Sequence, residues 1–308
     1  MRANKILQGD VRNVLRKLPG ESVNMVMTSP PYWALRDYGV KGQLGLEPSY
    51  EEYINNLCDI FEEVKRLLKE DGTCWVNIGD TYSGSGTPSS SERKNLEVRK
   101  IKAGAFPKTK PNWSKLGFPK KCLVMIPLRF AIEMVNRGWI LRNIIIWHKP
   151  NAMPSSVKDR FTVDFEYLFF FSKNGKYHFE QQREPHKAES IERTKYKWNG
   201  HREKGSSYSG LNVKKMCHPD GRNKRCVWDI RTKPSKEAHF AMYPEELCEI
   251  PIKAGCPKDG IVLDPFFGSG TTGIVALKQG KNFLGVELNP EYIKIAKRRI
   301  KNAIKSSD

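Results

Sequence analysis

The sequence predicts an α/β protein whose core is a doubly wound sheet with helices on both faces. Short apolar runs alternate with segments of helical periodicity, and two of these runs end in turns of unusual composition. Residues 23–27 lead into Thr28-Ser29-Pro30-Pro31-Tyr32-Trp33, and residues 261–264 lead into Pro265-Phe266-Phe267-Gly268-Ser269-Gly270. Because open α/β sheets bind ligands at the carboxyl ends of their strands, both turns are predicted to line a site.

The elements follow one another as such a sheet requires. Seven apolar runs are predicted strands: residues 5–9, 23–27, 73–78, 139–147, 165–171, 261–264 and 282–287. Segments with helical features are predicted helices: residues 50–68, 123–136, 244–254, 274–279 and 290–302. The alternation of the two patterns predicts a seven-strand-type sheet.

The first turn is stiff. Its two prolines fix φ and restrict the residue before each of them. They therefore hold the Ser29 side chain, backbone carbonyls and the Tyr32 ring in one arrangement at a strand end. An ordinary proline-rich turn with an aromatic ring packed on it is the structural alternative.

The second turn has the pattern of a loop that binds a nucleotide-type cofactor. Gly268 and Gly270 let the backbone turn tightly and approach a ligand, and Thr271 or Thr272 is expected to cap the following helix. Glu287 ends the next strand, about 20 residues further on, where an acid accepts hydrogen bonds from ribose hydroxyls. A glycine-rich loop by itself also fits a plain tight turn, but the strand, loop, helix, strand and acid together favour the cofactor site.

Composition limits the class of protein. A chain of 308 residues with 39% hydrophobic content buries one sizeable core, in one domain with an insertion or in two domains. No apolar run approaches the roughly 20 residues that span a bilayer, and the first residues lack the apolar core of a signal peptide. We therefore expect a soluble, cytoplasmic protein. The seven cysteines form no CxxC pair, so neither a disulfide framework nor a zinc ribbon is favoured.

A zinc site is conceivable for Cys217, His218 and Cys226 with His201. Their spacing matches no familiar zinc motif, so no metal is predicted.

The net charge of +19 is concentrated in two segments. Residues 83–121 contain ten Lys and Arg against two acids, and residues 181–236 contain fifteen against six, so together they carry 17 of the 19 excess charges. Two basic insertions in a nearly neutral scaffold indicate a polyanionic partner, with flexible solvated loops as the alternative. The second segment also contains Tyr196, Trp198, Tyr208 and Trp228, aromatics able to stack on bases or to pack.

With both turns in one chain, the sequence resembles the amino-methylating DNA methyltransferases that use S-adenosyl-L-methionine. The residues that carry the resemblance are Thr28 to Trp33, as the catalytic motif, and Asp264 to Gly270, as the cofactor motif. Their order is similar to that of the circularly permuted β group, which implies a Rossmann-like methyltransferase sheet with a basic target-recognition insertion. The resemblance weakens only in the two basic segments.

The resemblance also implies a domain arrangement and a partner. Residues 1–180 and 237–308 would form the catalytic and cofactor-binding domain, with residues 83–121 as a mobile basic loop. Residues 181–236 would be the target recognition region on double-stranded DNA. A cognate restriction endonuclease that acts separately is a further expected partner, and the protein is expected to be a monomer or a homodimer.

Individual positions follow from the same resemblance. The implied catalytic residues are Ser29, Pro30, Pro31 and Tyr32. The implied cofactor-binding residues are Asp10, Thr28, Asp264, Pro265, Phe266, Gly268, Gly270, Thr271, Thr272, Glu287 and Asn289. Asp10 equally fits a helix cap, and Phe266 equally fits the core. Asp80 and His148, which follow predicted strands, either line the site or make local contacts only.

An exocyclic amine attacks a methyl group poorly, because its lone pair is delocalised into the base, until acceptors hold its protons. The Ser29 side chain and the Pro30 carbonyl are the expected acceptors. Tyr32 is expected to stack on a base rotated out of the duplex, with direct transfer of the methyl group. Cytosine-C5 chemistry is not expected, since no Pro-Cys pair occurs.

Ser29 stands where many adenine enzymes carry Asp, so the sequence resembles the cytosine-N4 branch. Some adenine-N6 enzymes also carry Ser there, which leaves adenine as the alternative. More remote alternatives are an RNA or protein methyltransferase and a non-catalytic nucleic-acid-binding protein.

Overall fold

The structure, a computed structural model, describes residues 3–84, 111–195, 217–233 and 242–305. It divides into two compact units, the first formed by Met1–Phe179 with Cys226–Asp308 and the second by Glu180–Arg225. In chain order, the strands of the described residues are β1 (Lys5–Gln8), β2 (Val23–Thr28), β3 (Leu68–Ile78), β4 (Ile140–His148), β5 (Phe165–Ser172), β6 (Arg183–Glu184), β7 (Arg222–Asn223), β8 (Val227–Asp229), β9 (Ile261–Asp264) and β10 (Asn282–Glu287). The helices are α1 (Val11–Arg16), α2 (Tyr50–Leu67), α3 (Ile126–Asn136), α4 (Ala188–Lys195), α5 (Glu245–Gly255), α6 (Thr271–Lys278) and α7 (Pro290–Lys305).

The first unit is built on an eight-stranded sheet of order β1-β10-β9-β2-β3-β5-β4-β8. β5 runs antiparallel to both of its neighbours, and the other pairings are parallel. The predicted doubly wound α/β fold is therefore confirmed. All seven predicted strands are present, and the short β8 adds an eighth at the edge beside β4.

Alternate residues of the central strands pack on opposite faces of the sheet, as a period of two requires. Val26 of β2 belongs to a core cluster with helices α1, α2 and α3, whereas its neighbours Met25 and Met27 belong to a second cluster with α5, α6 and α7. Phe169 and Phe170 of β5 divide in the same way. Helices thus cover both faces, and the sheet edges at the strand ends remain available for a site.

The helix predicted over residues 123–136 begins later, at Ile126. Met125 adopts a left-handed conformation with φ of 62°, and Pro127 follows in the first helical turn. Because proline favours the first turn of a helix, it marks the true start. Leu123 instead pairs with Tyr82 in an isolated bridge.

The second unit, Glu180–Arg225, contains α4 and a two-stranded antiparallel ribbon of β6 and β7. Glu184 on the ribbon accepts hydrogen bonds from Arg222 at 2.9 Å and Arg225 at 2.7 Å. This unit lies within the range of the predicted recognition region except for its first residue. The end of that region differs: Val227–Asp229 is β8 of the main sheet, and Trp228 is buried in the core, with 6% exposure, rather than free to stack on a base. Tyr196, Trp198 and Tyr208 lie outside the described residues.

The basic segment predicted as a mobile loop is described only at its ends, and residues 85–110 lie outside the described part of the chain. Residues 111–121 belong to the first unit and pack against its core. Trp113 meets Trp33 edge to face at 5.5 Å between ring centroids, and Phe118 meets Tyr50 at 5.3 Å. Aromatic contacts therefore anchor this end of the segment, and the basic composition of the segment did not predict them.

The described residues contain neither a membrane-spanning helix nor a metal cluster. None of their helices is long and apolar enough to cross a membrane. None of their groups of three or more His, Cys, Asp or Glu could hold a metal ion.

Candidate active site

An open cavity of about 340 Å³ lies at the carboxyl edge of the main sheet. Its lining includes Gly9 after β1, Ser29 after β2, Pro265 after β9 and Leu288 after β10. From the adjacent strands β2 and β9 the chain continues in opposite directions, to β3 on one side and to β10 on the other. Open α/β sheets bind ligands at such a point of divergence, and both sequence motifs line this cavity.

The proline-rich turn after β2 forms one wall. Its lining residues are Ser29, Pro30, Pro31 and Tyr32. The Tyr53 hydroxyl of α2 donates to the Pro31 carbonyl at 2.8 Å, and the buried Trp33 indole donates to the Glu47 carbonyl at 3.0 Å. The turn is thus fixed to the core on two sides, in addition to the constraint from its prolines.

Tyr32 belongs to a polar network that also lines the cavity. Its hydroxyl donates to Glu166 Oε2 at 2.6 Å, and Asn77 Nδ2 donates to the same oxygen at 3.1 Å. The Lys149 ammonium pairs with the other oxygen of Glu166 and lies 4.4 Å from the centre of the Trp147 ring. All five residues line the cavity.

Burial raises the pKa of Tyr32 well above its ordinary value, and the negative charge of Glu166 adds to that rise. A hydrogen bond with the Ser29 side chain acts in the opposite direction. Tyr32 therefore keeps its proton at neutral pH and serves as a donor. The ring is in contact with Gly79, where a Cβ atom would lie 2.5 Å from the Tyr32 Cε2 atom.

The glycine-rich turn forms the opposite part of the lining, through Pro265, Phe266, Gly268 and Thr271 among others. Gly268 has φ of 52° and Gly270 has φ of 82°, values that favour glycine. The Gly268 N–H donates to Glu287 Oε2 at 2.7 Å. This bond joins the loop to the end of β10.

Glu287 is held by backbone groups on both carboxylate oxygens, since Asn289 N–H donates to Oε1 at 2.7 Å. Burial raises its pKa, and these two backbone donors oppose the rise. Each carboxylate oxygen accepts more than one hydrogen bond, so Glu287 retains acceptor capacity for hydroxyl groups in the cavity.

Asp264 lies beneath the loop, with 1% exposure, and is not part of the cavity lining. Its carboxylate accepts from Thr28 Oγ1 at 2.6 Å, Thr272 Oγ1 at 2.7 Å, Tyr243 Oη at 3.2 Å and the Phe266 N–H at 3.0 Å. Burial raises its pKa and the hydrogen bonds oppose that rise. This network joins the ends of β2 and β9 and the start of α6, so Asp264, Thr28 and Thr272 act on the cavity by shaping it.

The predicted helix cap in this loop was wrong. Helix α6 begins at Thr271 after Gly270, with no side chain capping it. The Thr272 hydroxyl is turned toward Asp264, and the Thr271 hydroxyl accepts a bond from Arg299 at 3.2 Å. Gly270 is also absent from the lining, and a Cβ there would lie 3.1 Å from Ala296.

Asp10 and Asn289 each accept a hydrogen bond at the start of a helix and also line the cavity. Asp10 caps α1, accepting from the Arg12 N–H at 3.0 Å, and pairs with the Arg12 side chain at 2.8 Å, which lowers the pKa of Asp10. Asn289 accepts from the Glu291 N–H at 2.9 Å at the start of α7. Both also line the cavity, so the cap predicted for Asp10 is present and its place beside the cofactor stays a prediction.

His148 and Asp80 do not line the cavity. His148 Nδ1 lies 2.6 Å from Asp229 and its Nε2 lies 3.5 Å from Asp164. Both carboxylates raise the pKa of His148, and the hydrogen bond with Asp229 contributes most. Asp80 accepts from the Ile126 N–H at 3.0 Å, at the start of α3. Both therefore make the local contacts that were the alternative interpretation.

The sequence did not single out several residues that the structure brings to this site. The missed lining residues include Arg36, Tyr38, Asn77, Glu166, Tyr243 and Tyr292. The Tyr38 and Tyr292 rings meet edge to face at 6.3 Å between centroids. Only Asn77 and Glu166 carried a usable signal, as polar residues within otherwise apolar strands.

Comparisons with known proteins agree with this architecture. A family model described as DNA methylase, for the N6 and N4 enzymes, matches residues 23–298. The type II methyltransferase M.Cfr9I of Citrobacter freundii is 43% identical over 296 residues, covering 96% of this chain and 87% of the relative. The type II methyltransferase M.SmaI of Serratia marcescens is 41% identical, covering 97% and 91%. The chain therefore belongs to the N6/N4 DNA methylase family, and it is a type II DNA methyltransferase.

Solved structures show the same fold. The PvuII DNA methyltransferase superposes with a TM-score of 0.63 at 21% identity, covering 98% of this chain and 92% of that chain. A putative DNA modification methylase from Thermus thermophilus, solved with S-adenosyl-L-methionine, superposes with a TM-score of 0.58 at 26% identity, covering 97% and 95%.

S-adenosyl-L-methionine is the cofactor of this methyltransferase, and the cavity residues fit it. Glu287 supplies a carboxylate for hydroxyl groups, and Phe266 supplies an aromatic ring in the same lining. The Gly268 backbone presents no side chain that would obstruct close approach.

Proposed function

We propose that this protein methylates the exocyclic N4 of a cytosine at a specific site in double-stranded DNA. The observation that carries the proposal is the Ser29-Pro30-Pro31-Tyr32 turn, which lines the same cavity as the glycine-rich loop and Glu287. One cavity thus offers acceptors for an amine and a place for a methyl donor.

The chain's residues would activate the amine by position. The Ser29 hydroxyl and the Pro30 carbonyl accept the two amine protons, which draws the nitrogen toward tetrahedral geometry. Tyr32 contacts the target base, which has to leave the duplex because its amine is otherwise out of reach. The prolines, with Tyr53 bonded to the Pro31 carbonyl at 2.8 Å, keep these acceptors fixed, so much of the acceleration comes from orientation.

The cofactor end would be formed by the remaining predicted residues. Glu287 binds ribose hydroxyls, Phe266 and Pro265 contact the cofactor, and Gly268 leaves room for it. Asp264 contributes by holding the loop. S-adenosyl-L-methionine supplies the electrophilic methyl group when it is bound there.

The choice of cytosine rests on Ser29. A neutral serine at this position resembles the cytosine-N4 branch of the family. The PvuII methyltransferase is described as cytosine-N4-specific, and at 21% identity it supports the fold alone. An adenine-N6 enzyme with Ser at this position is the alternative, and it would use the same acceptors.

Target recognition would fall to residues 181–236, which carry nine excess positive charges, with residues 83–121 as a second DNA contact. A cognate restriction endonuclease would act separately. The type II names of the relatives support this pairing.

The test is the identity of the modified base. The protein is expressed in a host without DNA methylases, the genomic DNA is digested to nucleosides, and these are analysed by mass spectrometry, with Pro31→Ala as the matched inactive control. We expect N4-methylcytosine from the wild-type chain alone. N6-methyladenine would replace the proposed base by the alternative, and the absence of any modified base would overturn the proposal.

A further inference from the structure

Glu166 stands at the beginning of β5, yet its side chain reaches the cavity wall next to the proline-rich turn. The side chain is only 18% exposed. Burial of a carboxylate is costly unless partners compensate for it. Here Lys149 supplies the opposite charge, while Tyr32 and Asn77 donate hydrogen bonds at 2.6 and 3.1 Å. Three partners from different parts of the chain thus hold the Glu166 carboxylate in one position beside the proline-rich turn.

The contacts of Tyr32 extend this network to Ser29. The Tyr32 hydroxyl donates to Glu166, and the Ser29 side chain acts on the same hydroxyl by lowering the pKa of Tyr32. Ser29, Tyr32 and Glu166 all line the cavity, so their three oxygen atoms offer a route from the turn to a carboxylate. Each of the two hydroxyls is able to accept a proton on one side while it donates its own on the other.

The proposed reaction leaves one proton in excess. The amine nitrogen bonds to the methyl carbon while the bond from that carbon to sulfur breaks, with its electron pair remaining on sulfur. The nitrogen then carries a positive charge until it loses a proton. The Ser29 hydroxyl and the Pro30 carbonyl are poor final acceptors, so a base has to lie further along the route.

We propose that Glu166 is the terminal acceptor of this proton, reached through Ser29 and Tyr32. This inference rests on the proposed function. The amine proton passes to the Ser29 oxygen, the Ser29 proton passes to the Tyr32 oxygen, and the Tyr32 proton passes to Glu166 Oε2. The open cavity then allows Glu166 to return the proton to water, which restores the starting state.

The groups around Glu166 define what a pH experiment reports. Among the described residues in hydrogen-bond or ion-pair contact with it, the titratable ones are Tyr32, from the turn after β2, and Lys149, from the end of β4. Asn77 of β3 is neutral. Loss of an acidic limb of the rate profile in Glu166→Gln, measured with saturating S-adenosyl-L-methionine, would therefore report on this carboxylate.

The experiment measures single-turnover methyl transfer on DNA by two single variants and by the double variant that combines them. Glu166→Gln keeps the size of the side chain and removes the base, and Tyr32→Phe keeps the ring and interrupts the route. We expect each to lower the rate about a hundredfold or more, with S-adenosyl-L-methionine affinity within threefold of wild type. The double variant should be no slower than the slower single variant, because both changes break one route.

A further variant, Glu166→Ala, separates proton transfer from support of the turn. In Glu166→Ala, added formate should restore part of the rate by occupying the vacated space as a small carboxylate. Glu166→Gln should also lose the acidic limb of the pH profile. The matched control is Glu133→Gln, which removes a carboxylate paired with Arg137 at 2.8 Å on α3, away from the cavity, and should leave the rate unchanged.

The outcomes are separable. A wild-type chain that transfers no methyl group to DNA would count against the proposed function itself. An active wild type with Glu166→Gln within threefold of its rate would overturn the role of Glu166. A slow Glu166→Gln that keeps the wild-type pH profile, together with no formate rescue of Glu166→Ala, would show that Glu166 only supports the turn.

Discussion

At the scale of single residues, Asp264 shows how a buried charge shapes a binding loop without lining the cavity. Its four hydrogen bonds come from β2, the loop itself, α6 and the residue before Pro244. Buried polar groups that lose a partner cost free energy. The carboxylate therefore ties the position of the glycine-rich loop to the stability of the sheet.

Asp264→Asn should lower both the stability of the protein and its affinity for the cofactor. The amide nitrogen replaces an acceptor with a donor next to hydroxyl groups, so we expect a loss of about 1–3 kcal/mol in the free energy of unfolding, with weaker cofactor binding. Urea denaturation and calorimetric titration with S-adenosyl-L-methionine measure the two. Asp259→Asn is the matched control, since Asp259 is exposed and its φ of 58° suits asparagine equally. Equal behaviour of the two variants would contradict this role.

We predict that Glu287 makes the affinity for the cofactor dependent on pH. Burial raises its pKa above the ordinary value of 4.5. The protonated acid loses acceptor capacity, so affinity for S-adenosyl-L-methionine should fall as the pH falls through this raised pKa and be full above it. Titrations with S-adenosyl-L-methionine between pH 8 and pH 4 test the expectation. Glu287→Gln should bind the cofactor weakly, with an affinity that does not change with pH.

The control for that titration is Glu291→Gln on α7. Glu291 pairs with Lys294 at 2.7 Å, and its side chain is 66% exposed. This variant should keep the wild-type pH profile. A flat wild-type profile over the same range would show that Glu287 does not bind the cofactor through its carboxylate.

At the scale of elements, the direction of β5 decides the composition of the site. The parallel strands β2 and β3 end at the cavity, whereas β5 begins there because it is antiparallel to β3. The first residues of β5 therefore lie at the edge where its neighbours finish. For this reason Glu166 meets Tyr32, in the turn after β2, although the two residues are 134 positions apart in the sequence.

Gly79, just after β3, lies against the Tyr32 ring, so a substitution there tests whether the proline-rich turn needs that ring in its present position. A Cβ atom in Gly79→Ala would lie 2.5 Å from the Tyr32 ring, so Tyr32 would have to move away from Glu166. We expect a lower methyl transfer rate and a stability loss of about 1–3 kcal/mol. Gly175→Ala is the matched control, because a Cβ there meets nothing within 4 Å. A fully active Gly79→Ala variant would show that the turn tolerates displacement of the ring.

At the scale of the whole molecule, we expect the distribution of charge to determine how strongly the protein binds DNA. The segments 83–121 and 181–236 hold 17 of the 19 excess positive charges. Neutralisation of phosphates by Lys and Arg releases counterions, which makes affinity depend steeply on salt.

The affinity for duplex DNA should therefore fall about a thousandfold or more between 50 and 200 mM salt, if at least six phosphates are contacted. Fluorescence anisotropy with a labelled duplex measures it. Affinity for S-adenosyl-L-methionine, measured in the same buffers, should change far less. A DNA affinity independent of salt would refute electrostatic binding by these segments.

Much of the fold followed from local pattern. Short apolar runs, such as residues 23–27 and 73–78, were predicted as buried strands, and both form strands whose side chains divide between the two faces of the sheet. Proline and glycine restrict or free the backbone where they stand, so the two turns at the cavity were recognisable in the sequence. These features depend on neighbours in the chain, and the sequence alone determined them.

The rest depended on pairing between distant segments. Three features join residues that are between 21 and 134 positions apart. They are the direction of β5, the eighth strand at Val227–Asp229 and the contact of Tyr243 with Asp264. An apolar run has the same pattern whether it pairs in a parallel or an antiparallel manner, so nothing local to residues 165–172 placed Glu166 at the site. Sequence thus determined the two motifs and the family they define, while the tertiary structure decided which buried polar groups surround them.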